Sequence, residues 1–387
     1  MFGKEIVQKF YNIRTPFYYY DIEKLRTNVD LINNAAKKYR YNLHYAVKAN
    51  ANTRILKIIS SFGLGADCVS GNEIKKSVEC GFSPNSILFA GVGKTDEEIL
   101  LGLDNKIFAF NCESLPEIKV INELAASREK TARIALRINP DVNPHTHKYI
   151  TTGLQENKFG INLWELSEVI DKINRLNNLD LCGLHFHIGS QITDLTVFKN
   201  LCNRINDMQR WFADRNIRIS HINVGGGLGV DYNQPDNCEP DLNAFFNIFH
   251  RFLELKQGQS LHFEPGRVLV ASCGDIISRV IYVKRGVNAQ FVILDAGMTE
   301  LIRPALYQAH HRIENLSKYA IDLNDNQLYD VVGPICESSD CFGKAISLPV
   351  TERGDMVAIR TTGAYGETMS SSYNLRSKAV AVYSDEF

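Results

Sequence analysis

Short apolar segments alternate with longer amphipathic segments from about residue 43 to residue 270, and this alternation limits the possible folds more than any other feature. Apolar segments of this length predict buried strands, and apolar residues at three-to-four spacing predict helices. Helices are expected, for example, over 52–62, 71–81, 115–126, 164–176 and 197–215. Eight candidate strands alternate with these helices, at 44–49, 65–70, 86–91, 107–112, 132–139, 182–189, 221–227 and 260–266.

Strands that alternate with helices pair in parallel through crossover connections, and eight such units are the number that closes a barrel. The pattern therefore predicts an α/β protein built on a (β/α)8 barrel of the TIM type. An open, doubly wound sheet is the alternative, because eight parallel strands can also form a sheet that does not close.

The pattern changes after residue 272, where strand-like segments follow one another without intervening helices. A mostly β domain is therefore expected after the barrel, and the strand-like segment 15–21 is expected to join it. The predicted division places the barrel at 25–272 and the β-rich domain at 1–24 and 273–387. The strand-like segments in the second part are 275–285, 289–297, 328–334, 356–366 and 379–384.

Charge and cysteine content exclude several classes of partner. The chain of 387 residues has 43 Lys and Arg against 44 Asp and Glu, so no basic field attracts nucleic acid or an anionic membrane. Nine cysteines are scattered without a Cys-x-x-Cys pair, which argues against a disulfide framework and a structural zinc site. No apolar run of membrane-spanning length and no signal peptide are evident. A reduced, cytoplasmic protein is expected.

Polar residues interrupt the apolar pattern near the ends of the candidate strands. In a (β/α)8 barrel, side chains from several strands converge at the carboxyl ends, where catalytic residues gather. Any one of these residues alone is better explained as a neutralised or hydrogen-bonded core residue. Their joint position at one rim instead favours a functional site. They are Lys48, Asp67, Ser70, Asn111, Arg137, His185, His187, Gly225 to Gly227, Glu264 and Arg267.

The residue types at this rim match one cofactor. Burial lowers the pKa of a lysine from its ordinary value of about 10.4, which makes Lys48 a potential nucleophile and Schiff-base former. The glycines of NVGGGLG let backbone amides approach a phosphate, although a glycine run is as compatible with a flexible loop. His187 offers a flat ring that can stack on a heterocycle, and Glu264 offers an acid that can contact a ring nitrogen. Together they predict pyridoxal 5'-phosphate, with Glu264 keeping the pyridine nitrogen protonated.

The sequence also resembles the alanine-racemase-fold (fold type III) family of pyridoxal phosphate enzymes, and within it the diaminopimelate decarboxylase family. The similarity extends from about residue 15 to residue 376, and its motifs follow the family's order. The matching stretches are YAVKAN, GADCVSGNE, FAGVGKT, RINPDVNPHTHKYITTG, KFGI, GLHFHIGSQI, NVGGGLGVDY, FEPGR, DAGMTELIRPALY, GPICESSD and GAYGETMSSSYN.

This resemblance implies a role for each matching position and an obligate dimer with shared active sites. Lys48 is the Schiff-base lysine, His187 stacks on the ring, and Glu264 meets the pyridine nitrogen. Cys336 and Glu337 reach the site from the neighbouring subunit, and Cys336 supplies a proton after carbon dioxide leaves; Cys341 is expected to be inert. The other cofactor-binding positions are Asp67, Ser190, Gly225, Gly226, Gly227, Gly266, Arg267 and Tyr365.

The family motifs also indicate the substrate. Racemases of this fold have an arginine at the pyridine nitrogen, so Glu264 favours decarboxylation. The substrate-binding positions are Arg267, Arg303, Tyr307, Glu337 and Tyr365. The guanidiniums of Arg267 and Arg303 suit a carboxylate at the far end of the substrate, and the carboxylate of Glu337 suits an ammonium group there. Meso-diaminopimelate has both of these distal groups. The alternatives are decarboxylation of carboxynorspermidine or another basic amino acid, and a pyridoxal-phosphate-binding regulator without activity.

Overall fold

The computed structural model describes residues 2–142, 158–318 and 326–386. Most of the RINPDVNPHTHKYITTG motif, and most of the 150–160 loop whose closure over substrate the sequence leaves open, lie outside these residues. Contacts divide the chain into two compact units. The barrel unit comprises Val29–Gly229 and Pro240–Gly266, and the β unit comprises Met1–Asn28, Val230–Glu239 and Arg267–Phe387.

The chain begins with helix α1 (Lys4–Phe10), strand β1 (Phe17–Tyr20) and helix α2 (Ile22–Lys37). Eight parallel strands then close a barrel in chain order, and the last pairs with the first through Asn42 opposite His262. The predicted barrel is confirmed, and the open sheet is excluded because no edge remains. The barrel strands are β2 (Asn42–Ala46), β3 (Gly65–Cys68), β4 (Ile87–Phe89), β5 (Ala109–Cys112), β6 (Ala132–Arg137), β7 (Leu179–His185), β8 (His221–Asn223) and β9 (Ser260–Phe263).

Helices follow these strands, and polar side chains define where several of them begin. Ser70, Thr95 and Ser114 each accept a hydrogen bond from a backbone N–H of the first turn that follows, which satisfies a donor that the helix itself leaves unpaired. The helices are α3 (Thr53–Ser61), α4 (Gly71–Glu79), α5 (Asp96–Asn105), α6 (Leu115–Ser127), α7 (Leu166–Ile173), α8 (Thr196–Ala213) and α9 (Leu242–Phe252).

The β unit is built on an eight-stranded sheet in which β1 pairs with both β10 and β16. The expectation that the N-terminal strand joins the second unit is therefore confirmed. Its remaining elements are α10 (Arg267–Val270), β10 (Gly274–Arg285), β11 (Gln290–Leu294), α11 (Arg303–Tyr307), β12 (Ile313–Asn315), β13 (Asn326–Val332), β14 (Cys341–Pro349), β15 (Met356–Ile359) and β16 (Val380–Tyr383). Within the described residues, no helix is both long and apolar enough to cross a membrane.

Three histidines fill part of the barrel interior and predict acid sensitivity. The His221 and His262 ring centroids are 3.9 Å apart, and His262 Nδ1 lies 2.8 Å from His44 Nε2. Burial, together with His44 and His185, lowers the pKa of His221 to about 3. An unfolded histidine takes up a proton near pH 6.5, so folding stability contributed by neutral His221 is complete above that pH and is lost as the pH falls towards 3.

We therefore expect His221→Phe to reduce the pH dependence of stability. Between pH 7 and pH 5, the free energy of unfolding of the wild type should fall by about 2 kcal/mol more than that of the variant. Urea denaturation of both proteins at the two pH values measures this difference. Equal losses in the two proteins would show that His221 does not couple folding to protonation.

Candidate active site

Lys48 lies just beyond the first barrel strand. The sequence predicts a strand over 44–49, but β2 ends at Ala46 and Val47–Ala49 forms a 3-10 turn, closed by a hydrogen bond from Asn50 N to Val47 O. The Lys48 side chain is 36% exposed, so the expectation of a buried lysine is wrong. Its Nζ donates to Asp67 Oδ2 at 3.1 Å. The turn therefore places the Lys48 amine beyond the hydrogen-bonded strand and leaves it accessible.

Glu264 follows β9 and is buried among hydrogen-bond donors. Its Oε1 accepts from Asn223 Nδ2 at 2.7 Å and from Asn111 Nδ2 at 3.5 Å, and its Oε2 lies 3.3 Å from His185 Nε2. Burial opposes the charged form, but His185 and Lys48 outweigh burial and lower the pKa of Glu264. The carboxylate is therefore ionised at neutral pH.

Asp67 and Glu264 are two carboxyl groups in the same buried region. Burial and the charge of Glu264 raise the pKa of Asp67 to about 6, and Lys48 offsets part of this rise. Glu264 holds its charge more firmly because three side-chain donors surround it, whereas Asp67 Oδ2 accepts from the lysine. The Asp67 carboxyl group therefore titrates close to neutral pH, beside the Lys48 amine.

His187 lies two residues beyond β7 and is neutral. Burial, then the charges of Arg137 and Lys48, keep the pKa of His187 well below its ordinary value. The backbone N–H of Gly226 donates to His187 Nδ1 at 3.4 Å, so Nδ1 is the acceptor. The ring is thus an uncharged flat surface near Glu264, on which a heterocycle can stack.

The glycine run after β8 is tightly packed and is not a flexible loop. Gly225 and Gly227 have φ of 70° and 102°, in the left-handed region that favours glycine. A Cβ at Gly226 would collide with the carbonyl oxygen of Glu264, and one at Gly225 with that of Phe186. Gly225 N donates to Asn223 Oδ1 at 2.9 Å. The glycines therefore bring the backbone close to Glu264 and His187.

Gly266 also lies where the chain passes close to the lysine turn. A Cβ at Gly266 would be 3.0 Å from that of Ala46 and 3.1 Å from that of Ala49, the two residues on either side of Val47 and Lys48. Ser190 is partly buried and lies after β7, in the segment that follows His187. Gly189, which precedes Ser190, packs against Gly227, and Glu264, two residues before Gly266, packs against Gly226. The roles of Ser190 and Gly266 in binding a phosphate remain predictions.

The residues of the barrel unit fit pyridoxal phosphate. An accessible amine, an ionised acid and a neutral ring occur with a glycine loop at the carboxyl ends of the barrel strands. Lys48, His185 and His187 are all close enough to Glu264 to lower the pKa of its carboxyl group. This donor set matches the aldehyde, pyridine nitrogen, ring face and phosphate of that cofactor.

Two buried arginines lie in the β unit. Arg267 begins α10 and donates from Nη1 to Tyr232 Oη at 2.6 Å, and its guanidinium is 4.9 Å from the ring centroid of Tyr365. Arg303 begins α11, lies 4.7 Å from the Tyr232 ring centroid, and has Nη1 2.7 Å from His311 Nε2. Burial and the charge of Arg267 lower the pKa of Arg303. Two neighbouring buried cations favour an anion beside them.

The other predicted site residues of the β unit are Tyr307, on α11, and Cys336 and Glu337, on the loop that follows β13. Tyr307 ends α11 and, after Tyr232 and Tyr365, contributes to raising the pKa of Arg267. Cys336 and Glu337 are exposed on the loop 333–340 between β13 and β14. Glu337 Oε1 accepts from the Tyr373 hydroxyl, whereas Arg303 contacts His311.

Sequence reasoning missed three residues of the site. Asn223 is the 2.7 Å donor to Glu264, Tyr232 lies between the two arginines, and His311 contacts Arg303. Asn223 could have been found as a polar residue in an apolar strand. Tyr232 is part of the NVGGGLGVDY motif, but its contact with Arg267 depends on the folded chain.

An ionised acid, an accessible lysine and a neutral histidine at the rim of an eight-stranded barrel are typical of a pyridoxal-phosphate-dependent enzyme of the barrel class. Comparison with known proteins supports this class directly. Residues 23–271 match the family described as "Pyridoxal-dependent decarboxylase, pyridoxal binding domain". The chain is 54% identical over 382 residues to a diaminopimelate decarboxylase of Bacteroides thetaiotaomicron, covering 98% of both chains.

Solved structures agree in fold and sequence. The Helicobacter pylori diaminopimelate decarboxylase complexed with L-lysine is 37% identical, with a TM-score of 0.91 over 99% of this chain and 94% of that one. The M. jannaschii enzyme in co-complex with L-lysine is 34% identical, with a TM-score of 0.88 over 98% and 89%. The chain belongs to the diaminopimelate decarboxylase family of pyridoxal-dependent decarboxylases.

Proposed function

We propose that this chain decarboxylates meso-2,6-diaminopimelate at its D centre, giving L-lysine and carbon dioxide as the last step of lysine biosynthesis. The observation that carries the proposal is the ionised Glu264, buried among three side-chain donors near Lys48. The names of the relatives and the L-lysine bound to two of the solved structures support this substrate and product.

The cofactor-binding residues have the following proposed roles. Bound pyridoxal phosphate supplies an electron sink that stabilises negative charge at the substrate carbon losing carbon dioxide. Lys48 would attach the cofactor, and Asp67, beside the Lys48 amine, would help to bind it. Glu264 would face the ring nitrogen, and His187 would support the ring. The phosphate is held by Ser190, Gly225, Gly226, Gly227, Gly266, Arg267 and Tyr365.

Residues of the β unit bind the rest of the substrate. Arg267, Arg303 and Tyr307 receive the distal carboxylate, because two buried guanidiniums favour an anion with a planar pair of oxygens. Glu337 binds the distal ammonium, and Tyr365 contacts the substrate. Cys336 delivers the proton to the carbon that has lost carbon dioxide, since its thiol is exposed whereas seven other cysteines are buried.

We also propose a cytoplasmic homodimer in which Cys336 and Glu337 serve the active site of the neighbouring subunit. Their exposure on the loop 333–340 supports this assignment. None of the nine cysteines forms a disulfide, in keeping with a reducing compartment. The proposed domains are a barrel domain over residues 25–272 and a β-rich domain over residues 1–24 and 273–387. The balanced charge supports small molecules as the ligands, without nucleic acid.

The direct experiment is to incubate the purified protein with pyridoxal phosphate and meso-diaminopimelate, and to measure carbon dioxide and L-lysine. Equal amounts of the two products are expected. Release of carbon dioxide from carboxynorspermidine but not from meso-diaminopimelate would identify the alternative decarboxylase. Cofactor binding without release from either substrate would identify a regulator.

Arg303→Ala should separate these substrates further. Removal of one partner of a buried, charge-assisted contact with the distal carboxylate should lower kcat/KM for meso-diaminopimelate by about 100-fold. Steady-state kinetics with holoenzyme measures the change, and Arg285→Ala, at the exposed end of β10, is the control. An Arg303→Ala protein that folds and retains wild-type kcat/KM would contradict this role.

A further inference from the structure

The loop 333–340, which carries Cys336 and Glu337, is built around a buried carboxylate. Asp340 is 4% exposed, and its Oδ2 accepts from Ile335 N at 2.7 Å while its Oδ1 accepts from Met298 N at 2.6 Å. Gly333 N donates to Asp340 O at 3.0 Å, which closes the base of the loop. The base is therefore held firmly, and the exposed residues 336–339 extend from it.

Two neighbouring residues from another segment contact the exposed part of this loop. The Tyr373 hydroxyl donates to Glu337 Oε1 at 2.8 Å, and Asn374 Oδ1 accepts from Cys336 N at 3.4 Å. Asn374 has a left-handed backbone with φ of 53°, a conformation that asparagine tolerates better than most residues. Consecutive residues thus contact the side chain of Glu337 and the backbone of Cys336.

The segment that carries Tyr373 is itself anchored on both sides. Ser371 N donates to Thr299 O at 3.0 Å, and Arg376 Nη2 donates to Asp295 O at 3.2 Å. The 3-10 turn Tyr373–Leu375 lies between these two contacts. The Tyr373 hydroxyl is therefore presented from a fixed backbone and can restrain the position of the Glu337 carboxylate.

We propose that Tyr373 is a positioning residue that orients Glu337 to receive the distal ammonium of the substrate; this inference rests on the proposed function. By binding Oε1, the phenol leaves Oε2 available for an ammonium group and reduces the rotation of an otherwise exposed side chain. Donation to this carboxylate also raises the pKa of the Tyr373 phenol, so the hydroxyl stays protonated through the neutral range. Tyr373 thereby contributes to selection of substrates that carry a distal amine.

The test is Tyr373→Phe in the holoenzyme, which removes only the hydroxyl. KM for meso-diaminopimelate should rise about 10-fold while kcat changes by less than about two-fold, because the contact orients a binding group and does not transfer the proton. KM for 2-aminopimelate, which keeps both carboxylates but lacks the distal amine, should not change. Tyr282→Phe is the matched control, since Tyr282 is similarly exposed, at 57% against 48% for Tyr373.

A double-mutant cycle tests whether Tyr373 acts through Glu337. In a Glu337→Gln background, Tyr373→Phe should change KM by less than about two-fold, since the partner carboxylate is already absent. A second 10-fold increase there, or an equal rise in KM for both substrates, would overturn the inference. Unchanged kinetic constants for Tyr373→Phe, in a protein whose wild type is active, would also overturn the inference. A wild type without decarboxylase activity would refute the proposed function instead.

Discussion

Lys48→Ala is expected to reduce carbon dioxide release from meso-diaminopimelate by about 1,000-fold or more. The side chain supplies the amine that attaches pyridoxal phosphate, and alanine offers neither a nucleophile nor a proton carrier at the turn 47–49. The variant should fold, because this side chain is 36% exposed. Single-turnover and steady-state assays of carbon dioxide release measure the loss.

Lys57→Ala is the matched control for this prediction. Lys57 is exposed on α3, only nine residues away, and has no proposed role in the site. The control should retain wild-type activity and the same absorbance after cofactor addition. A Lys48→Ala protein with activity within about 10-fold of the wild type would show that another group attaches the cofactor.

Cys336→Ala should slow the formation of L-lysine by about 100-fold, the range typical for removal of a general acid. Carbon dioxide can still leave, but the proton that completes the product must then come from solvent. Products in which the proton is added at the wrong position should therefore accumulate. Chromatographic separation of amino-acid and aldehyde products, with carbon dioxide measured in parallel, detects this error.

Cys341→Ala provides the comparison for Cys336→Ala. Cys341 is five residues further along, begins β14, and is partly buried, and burial raises the pKa of its thiol. This variant should keep both the wild-type rate and the wild-type product. If the two variants behave alike, the proton donor is a residue other than Cys336.

Much of the fold could be predicted because the barrel repeats one unit. Eight recurrences of strand and helix favoured a closed barrel over an open sheet, and β2 to β9 pair in that order. The predicted strands extend too far at their carboxyl ends, as at 44–49, because apolar content alone does not reveal where ladder hydrogen bonding stops. At β2 the strand ends when the chain turns at Val47.

The strands missed in the β unit are those with weak local signals. β12 is only three residues, Ile313–Asn315, and is held by antiparallel pairing with β15. β14 contains Gly343 and Lys344, which interrupt the apolar alternation expected of a strand, and it forms through extensive pairing with β13. Both depend on partners distant in sequence, which local propensity does not report.

The site could be predicted in type but not in its supporting contacts. The unusual residue types at the barrel rim indicated pyridoxal phosphate, and the match of residues 23–271 to the pyridoxal binding domain confirms that cofactor. The hydrogen bond from Asn223 to Glu264, and the packing of Tyr232 against both arginines, arise only when separate segments meet. The roles assigned to individual residues stay predictions until variants are measured.

Borohydride reduction of the holoenzyme, followed by peptide mapping, tests the attachment of the cofactor at Lys48 most directly. The expected result is a single modified peptide, with the reduced pyridoxyl group on Lys48. The barrel offers a second lysine for comparison, Lys94, whose Nζ is buried and lies 2.6 Å from Glu117 Oε1. A pyridoxyl group on Lys94 or on any other lysine, with Lys48 unmodified, would contradict the assignment.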